Sequence, residues 1–322
     1  MADTAAAGLA PAAGAAAAPP KVTGIDALLG LMVLIWAANY SVIKHVFAEV
    51  PPQPFNALRL TIASLIFLSV IGWVRWRGRG QRISRVFFTP ERLTSRDRWD
   101  LIWLGLIGHF LYQFCFVRGV AETSVSNTAL IIGATPVVIA VASALLGRER
   151  ITGVHWAGAA VSLLGIYLVV GRDASLANAT LSGDLIIVVS VVCWAIYTIG
   201  AARLTRTHSA LFVTGMTMAI GTVPYVLVTL PQILRVDWRA VSGSAWTSLF
   251  LSATLALCVA YVIWYAAVQK IGPSRTAIYS NLIPITAMAI AAVWLHEPMS
   301  PVRIAGASAV LIGVLLTRLG RT

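Results

Sequence analysis

The sequence predicts an all-α membrane protein: ten transmembrane helices, built as two inverted five-helix repeats around a central cavity. Three observations carry that prediction. Of the 322 residues, 58% are hydrophobic and 11% charged, with a mean hydropathy of +0.83; a soluble domain has about 25% charged residues. Ten apolar runs are long enough to cross a ~30 Å hydrocarbon core as helices rising ~1.5 Å per residue. The third observation is repetition. Pro136, Glu149, Gly158 and Gly165 recur with unchanged spacing as Pro284, Glu297, Gly306 and Gly313, a shift of 148 residues. A second ladder, at a shift of 158, pairs Asp26 with Asp184 and Trp36 with Trp194. Self-similarity on this scale marks a duplicated unit of ~150 residues.

Residues 1–23 are mostly Ala, Pro and Gly, with Asp3 and Lys21 the only charges. A signal peptide puts its basic residues before a Leu-like apolar stretch; here the Lys comes last, so a disordered tail is expected. The first repeat, residues 24–171, holds spans near 27–47, 55–73, 101–120, 124–146 and 154–170. The turn Glu49-Val50-Pro51-Pro52 ends the first span, because proline fixes φ and lacks an amide donor. A polar loop, 75–98, follows the second span and carries eight arginines against Glu91 and Asp97. The tight turn Gly147-Arg148-Glu149-Arg150 precedes the fifth. After a linker at 172–182, the second repeat (183–319) holds spans near 184–202, 210–230, 246–268, 275–295 and 302–316.

Placing the amino terminus in the cytoplasm puts 17 of the 24 Lys and Arg residues on that side, as the positive-inside bias requires. Both termini are then cytoplasmic, in the cell (inner) membrane. That bias, with contact to anionic lipid headgroups, accounts for the net charge of +12, and no nucleic-acid partner is expected. An odd number of spans per repeat forces the second copy to enter the membrane upside down. Accordingly Glu149 lies between two arginines, as an inside turn should, and Glu297 lies between His296 and Pro298. Inverted repeats are typical of secondary transporters. Two near-equivalent halves can pack in two near-equivalent ways, so inward-open and outward-open states differ little in free energy.

The Pro–x12–Glu–x8–Gly–x6–Gly cassette that closes each half resembles the EamA-type domain of the drug/metabolite transporter superfamily. So do Trp36, Asn39 and Tyr40 of span one, followed by Lys44, and the Arg59 inside span two. The resemblance covers about residues 25–319. It implies a ten-span exporter or exchanger of small metabolites, amino acids foremost, with its cavity between the halves. The second half lacks a counterpart of Arg59 and has Tyr197 where the first has Asn39, so a chemically asymmetric cavity is expected.

Helical spacing groups the candidate lining. Trp36, Asn39 and Tyr40 share a face of span one, as Trp194 and Tyr197 do on span six. His109, Tyr112 and Gln113 share one on span three, and Tyr261, Trp264 and Tyr265 one on span eight; Asn127, Tyr279 and Asn281 add polar groups on spans four and nine. In hydrocarbon a polar side chain needs a partner or a wet cavity, so these residues either line a substrate path or bond between helices. Lys44 and Arg59 are expected either to snorkel to the interface or to offer a positive charge to a substrate carboxylate.

Glu149 and Glu297 read as structural. Each precedes a new helix, whose free amides and positive dipole end favour a carboxylate. Gly158/Gly165 and Gly306/Gly313 lie seven apart on one helix face, suited to close backbone approach within the chain or between two copies in a homodimer. Pro136 and Pro284 fall mid-span and free the carbonyls of Ile132 and Ser280, for a kink or for polar cargo. Cys115, Cys193 and Cys258 stand singly inside spans, which argues against disulfides and metal ligation. Neither a Walker A loop nor Gly-x-Ser-x-Gly nor His-Glu-x-x-His occurs. No catalytic residue or cofactor is expected, and the partners are a small-molecule substrate and membrane lipid. The alternatives are a proton-coupled multidrug exporter, with His109 titrating, and a membrane-embedded enzyme.

Overall fold

The computed structural model describes residues 24–77, 87–89, 92–135, 137, 138, 142, 153–172, 181–271 and 279–319. Among these the chain forms helices and no strand. They are α1 (Gly24–Val46), α2 (Pro52–Arg77), α3 (Ser95–Glu122, with a π-helical turn at Leu106–Leu111), α4 (Val125–Gly133) and α5 (Gly153–Arg172). The second half supplies α6 (Leu181–Leu204), α7 (Ala210–Ile233), α8, α9 (Leu282–Trp294) and α10 (Pro301–Leu319). Helix α8 runs through Gly243–Leu251, a π-helical turn at Ser252–Val259, and Ala260–Ile271. Six helices, α1, α2, α3, α6, α7 and α8, are long and apolar enough to cross a membrane; α5, α9 and α10 hold shorter apolar stretches. The tail at 1–23, Pro136 and the turn around Glu149 lie outside the described residues.

Hydroxyl caps start several of the helices. Thr94 Oγ1 accepts from the Asp97 amide (3.1 Å) and Asp97 Oδ2 accepts from the Thr94 amide (3.0 Å), a reciprocal capping box on α3. Ser124, Ser209 and Ser242 each cap one orphan amide of α4, α7 and α8. The two proline-bearing runs are interrupted. Helix α4 stops at Gly133, turns at Ala134 and resumes at Thr135; helical Tyr279–Ser280 turns at Asn281, and α9 begins again with Pro284 in its first turn. There a missing N–H costs nothing, so the expected mid-helix kink is a full break instead. The Ile132 carbonyl accepts from Thr135 Oγ1 at 2.6 Å and is not left for cargo.

Packing follows the repeat. Helix α1 lies against α8 and α9, and its counterpart α6 lies against α3 and α4. Helices α5 and α10 cross with their backbones almost in contact. A Cβ on Gly165 would sit 2.7 Å from the Val310 amide and 2.8 Å from the Gly306 carbonyl, and one on Gly313 would sit 2.5 Å from the Gly158 carbonyl. Gly165 meets the second copy's glycine face as Gly313 meets the first's, so the two helices run antiparallel. That reciprocity is the contact pattern of segments related by a half-turn. Two hydrogen bonds join residues to their own repeat images: Ser64 with Thr222 (2.9 Å, α2 to α7) and Ser162 Oγ to the Val310 carbonyl (3.2 Å). Such pairs can meet only on the axis. The glycine face is buried inside the chain and leaves no surface there for a second copy.

Candidate functional site

Helices α1, α3, α6 and α8 converge at mid-height, two from each half. On α1, the Trp36 indole N–H donates to the Ala256 carbonyl (3.0 Å), inside the π-helical turn of α8. Asn39 Oδ1 accepts from Ser252 Oγ (2.5 Å), in the same turn. Arg59 reaches from α2 to both neighbours: Nη1 donates to Ser252 Oγ (3.3 Å) and Nη2 to Gln113 Oε1 (3.2 Å). Asn39, Ser252, Arg59 and Gln113 therefore form one polar line through α1, α8, α2 and α3. π-Helical turns recur at functional sites, and both π turns here fall at matching places in the two repeats.

An aromatic wall surrounds the line. Tyr40 meets Phe116 edge-on (5.9 Å), Phe116 stacks on Tyr112 (5.7 Å), and Tyr112 lies against Trp194 (5.0 Å). Trp194 continues to Tyr197 (5.3 Å) and Tyr261 (6.1 Å); Tyr261 meets Trp36 (5.8 Å), and Trp36 meets Trp264 (5.9 Å). Trp36, Asn39, Tyr112, Trp194 and Trp264 are only half-buried, although they face one another. These side chains, packed against one another between the halves, keep part of their surface accessible.

His109 is fully buried in the π turn of α3, edge-on to Tyr197 (5.0 Å), with neither ring nitrogen bonded to a protein group. Glycines make room for it: a Cβ on Gly221 would sit 2.7 Å from His109 Cβ, and one on Gly108 would sit 2.5 Å from Tyr197 Cγ. Arg59 is 1% exposed, and no carboxylate among the described residues pairs with it. A lone charge two turns inside a span is costly, up to the ~2.5–3.5 kcal/mol that insertion scales assign to a helix centre.

The structure sends several expected lining residues elsewhere. Lys44 Nζ donates to the carbonyls of Val120 (2.7 Å), Ala121 (2.8 Å) and Thr123 (2.7 Å). An ammonium has three donors, so Lys44 clamps the C-terminus of α3 and holds none back for a substrate. Asn127 Nδ2 donates to Asp184 Oδ2 (3.2 Å), and Thr123 Oγ1 donates to Asp184 Oδ1 (2.5 Å), at the same end of the molecule. At the opposite end the Tyr279 hydroxyl donates to Asp26 Oδ1 (2.7 Å). Tyr279 packs beside Trp36 and Trp264 on the Leu29–Met32–Val33 cluster, and half-buried Asn281 sits at the break before α9. The Tyr265 side chain lies outside the described residues.

Glu297 caps a helix, but not the α10 it precedes. It accepts from the amides of Val125 (2.7 Å) and Ser126 (3.1 Å) and from Ser126 Oγ (2.6 Å), at the start of α4 in the other repeat. His296 explains the detour: its φ of 53° turns the chain back after α9. Buried Arg303 completes this end, donating to the Pro298 carbonyl (2.8 Å) and Ser124 Oγ (3.1 Å).

Each repeat also grips the other's N-cap. Glu49, after α1, accepts from the Ser242 amide and hydroxyl (both 2.9 Å); the amide first, then the hydroxyl, holds its carboxyl below the usual range. Correspondingly Asp97, which shares the α3 capping box with Thr94, accepts from Arg203 in the last turn of α6 (3.2 Å) and meets His208 Nε2 just beyond that helix (3.3 Å). Sequence reasoning missed Ser252, Gln53 and Tyr225. Gln53 accepts from the Tyr225 hydroxyl and donates to the Phe114 carbonyl (3.2 Å). The stripe Gln53, Asn56, Arg59 at steps of three was the available signal.

A duplicated, all-helical, multi-pass bundle with a polar and aromatic crevice between its halves defines a membrane protein of the transporter class. The chain belongs to the EamA-like transporter family, whose model matches residues 24–171 and again 181–319. That family is the one Trp36, Asn39 and the glycine cassette resemble. The chain is 26% identical over 291 residues to the "uncharacterized transporter YyaM" of Bacillus subtilis (89% of this chain, 91% of the relative). It is 25% identical over 292 residues to an uncharacterized transporter of Archaeoglobus fulgidus (90% and 96%). A "probable terminal-alkyne amino-acid exporter" of Streptantibioticus cattleyicolor is 25% identical over 288 residues (89% and 91%). A solved crystal structure superposes with a TM-score of 0.60 at 21% identity, covering 91% of this chain and 96% of that one; the likeness is one of fold.

Proposed function

We propose that this protein is a ten-span secondary transporter that moves small amphipathic solutes, amino acids foremost, outward across the cell membrane by alternating access. Its termini lie in the cytoplasm. The observation that carries the reading is the half-buried aromatic and polar crevice contributed equally by α1 and α3 of one repeat and α6 and α8 of the other. The antiparallel α5–α10 crossing and the bonds between repeat images favour inverted halves. The broken helices at Ala134 and Asn281 suit a midplane site, where irregular backbone is tolerated only beside a cavity or buried in protein. Exposed Leu65, Leu227 and Val293 on the outer faces of α2, α7 and α9 fit a lipid surround. The amino-acid exporter among the relatives favours solutes of that size.

In this reading the Lys44–Asp184–Glu297 end faces outward and the Asp97–Arg203–His208 end inward. The test is flux into proteoliposomes: labelled amino acids should move in a protein-dependent, saturable way, and Trp36→Ala or Trp194→Ala should raise the concentration needed for half-maximal flux. If no small solute moves under any imposed gradient, the reading fails.

A further inference from the structure

We propose that Arg59 anchors an anion subsite, so that the solutes carried bear one anionic group, a carboxylate foremost, while the aromatic wall receives the rest. This rests on the transporter reading above and names its substrate class. The guanidinium has five donors; its two bonds go to the neutral side chains of Ser252 and Gln113, and its Nε is buried without a bond. The described carboxylates lie at or near helix ends or in connecting loops, remote from mid-height. Lys44 adds no second charge, because its donors are spent on α3. The repeat image of Arg59 is Thr217, which bonds Tyr197 (3.2 Å), the residue standing where the first half has Asn39. Among the described residues Arg59 is thus the one cation at this level; it belongs to one half and is buried beside the aromatic wall.

A competing role is that Arg59 merely staples α2 to α3 and α8. The two differ in sign. A staple stabilises the empty protein, whereas an uncompensated buried charge destabilises it until an anion arrives, and a neutral replacement then raises stability. Because no carboxylate among the described residues lies near, an amine on the solute has aromatic faces and neutral carbonyls to meet. The acid group is therefore required and the amine is dispensable.

Three probes decide it: phenylalanine, 3-phenylpropionate, which lacks the amine, and phenethylamine, which lacks the carboxylate. Melting temperature and proteoliposome flux are measured for the full chain and for Arg59→Gln and Arg59→Lys. Both carboxylates should stabilise the wild type and phenethylamine should not. Arg59→Gln should melt higher than wild type when empty and bind the carboxylates more than about tenfold more weakly, with Arg59→Lys between the two. The proposal is overturned if neither carboxylate shifts the wild type, if phenethylamine matches them, or if Arg59→Gln melts lower and keeps the carboxylate effect. These failures leave the transporter reading standing; that reading falls only if no solute of any charge is moved.

Discussion

Replacing Lys44 with methionine separates a helix clamp from a substrate ligand. Methionine keeps most of the apolar stem and removes the ammonium, leaving the carbonyls of Val120, Ala121 and Thr123 without the donors that now sit 2.7–2.8 Å away. Three fully sheltered charged hydrogen bonds would contribute ~1.5–3 kcal/mol each. Lys44 is only partly buried, and the end of a helix retains some water, so the loss should be about 2–4 kcal/mol in total. For a chain this long that corresponds to a fall in melting temperature of the order of 5 °C. The assay is thermal unfolding in detergent with and without phenylalanine. Lys44→Met should melt lower by a similar margin in both, and the ligand-induced increment should survive. The clamp reasoning is refuted if the variant melts like the wild type while the increment from carboxylate solutes disappears.

Three further outcomes follow from single contacts. Gly313→Ala should destabilise by about 1–3 kcal/mol or prevent folding, because its Cβ meets backbone at 2.5 Å. Gly72→Ala, with nothing within 4 Å, should be neutral or stabilising in thermal melts; equal effects at the two sites would contradict the α5–α10 contact. His296→Gly should raise stability by about 1 kcal/mol, since glycine adopts a φ of 53° without the side-chain penalty, and an unchanged or lower melting temperature counts against that turn. Glu49 has a lowered pKa, so its contact with Ser242 holds above the ordinary glutamate range and is lost as pH falls through the depressed value. The melting-temperature difference between wild type and Glu49→Gln should accordingly be constant near neutrality and shrink in acid; growth on acidification would contradict the assignment.

Much of the fold was legible because duplication and helical period are one-dimensional signals. The glycines seven apart announced a close backbone contact, and the structure places Gly165 and Gly313 in one. Spacing put Trp36, Tyr112, Trp194 and Tyr261 each on one face of its own helix with a second polar or aromatic residue, while the contacts between those faces are seen only in the structure. Lys44, Asn127 and Glu297 were misdirected for a common reason. Their partners lie 57 to 172 residues away, and spacing along one helix does not say which helix end will be its neighbour. Ser252 was invisible for the opposite reason: a single serine in an apolar run is ordinary, and only its position between Asn39 and Arg59 gives it a role.

The tension between symmetry and recognition is resolved by where each residue sits relative to the half-turn axis. Contacts on the axis, Ser64 with Thr222 and Ser162 with Val310, are between repeat images, and the glycine faces of α5 and α10 are interchangeable. Under the proposed alternating access, two packings related by this axis would be near-equivalent and so close in energy. Away from the axis the images diverge: Arg59 against Thr217, Asn39 against Tyr197, Gln113 against Tyr261. Had both halves carried an arginine at this depth, two like charges would share the crevice, each at a desolvation cost. In the proposed function a single cation in one half would orient a small solute end to end without a matching charge in the other half. Symmetry in the framework and asymmetry in the lining are thus separate requirements, met by different residues on the same helices.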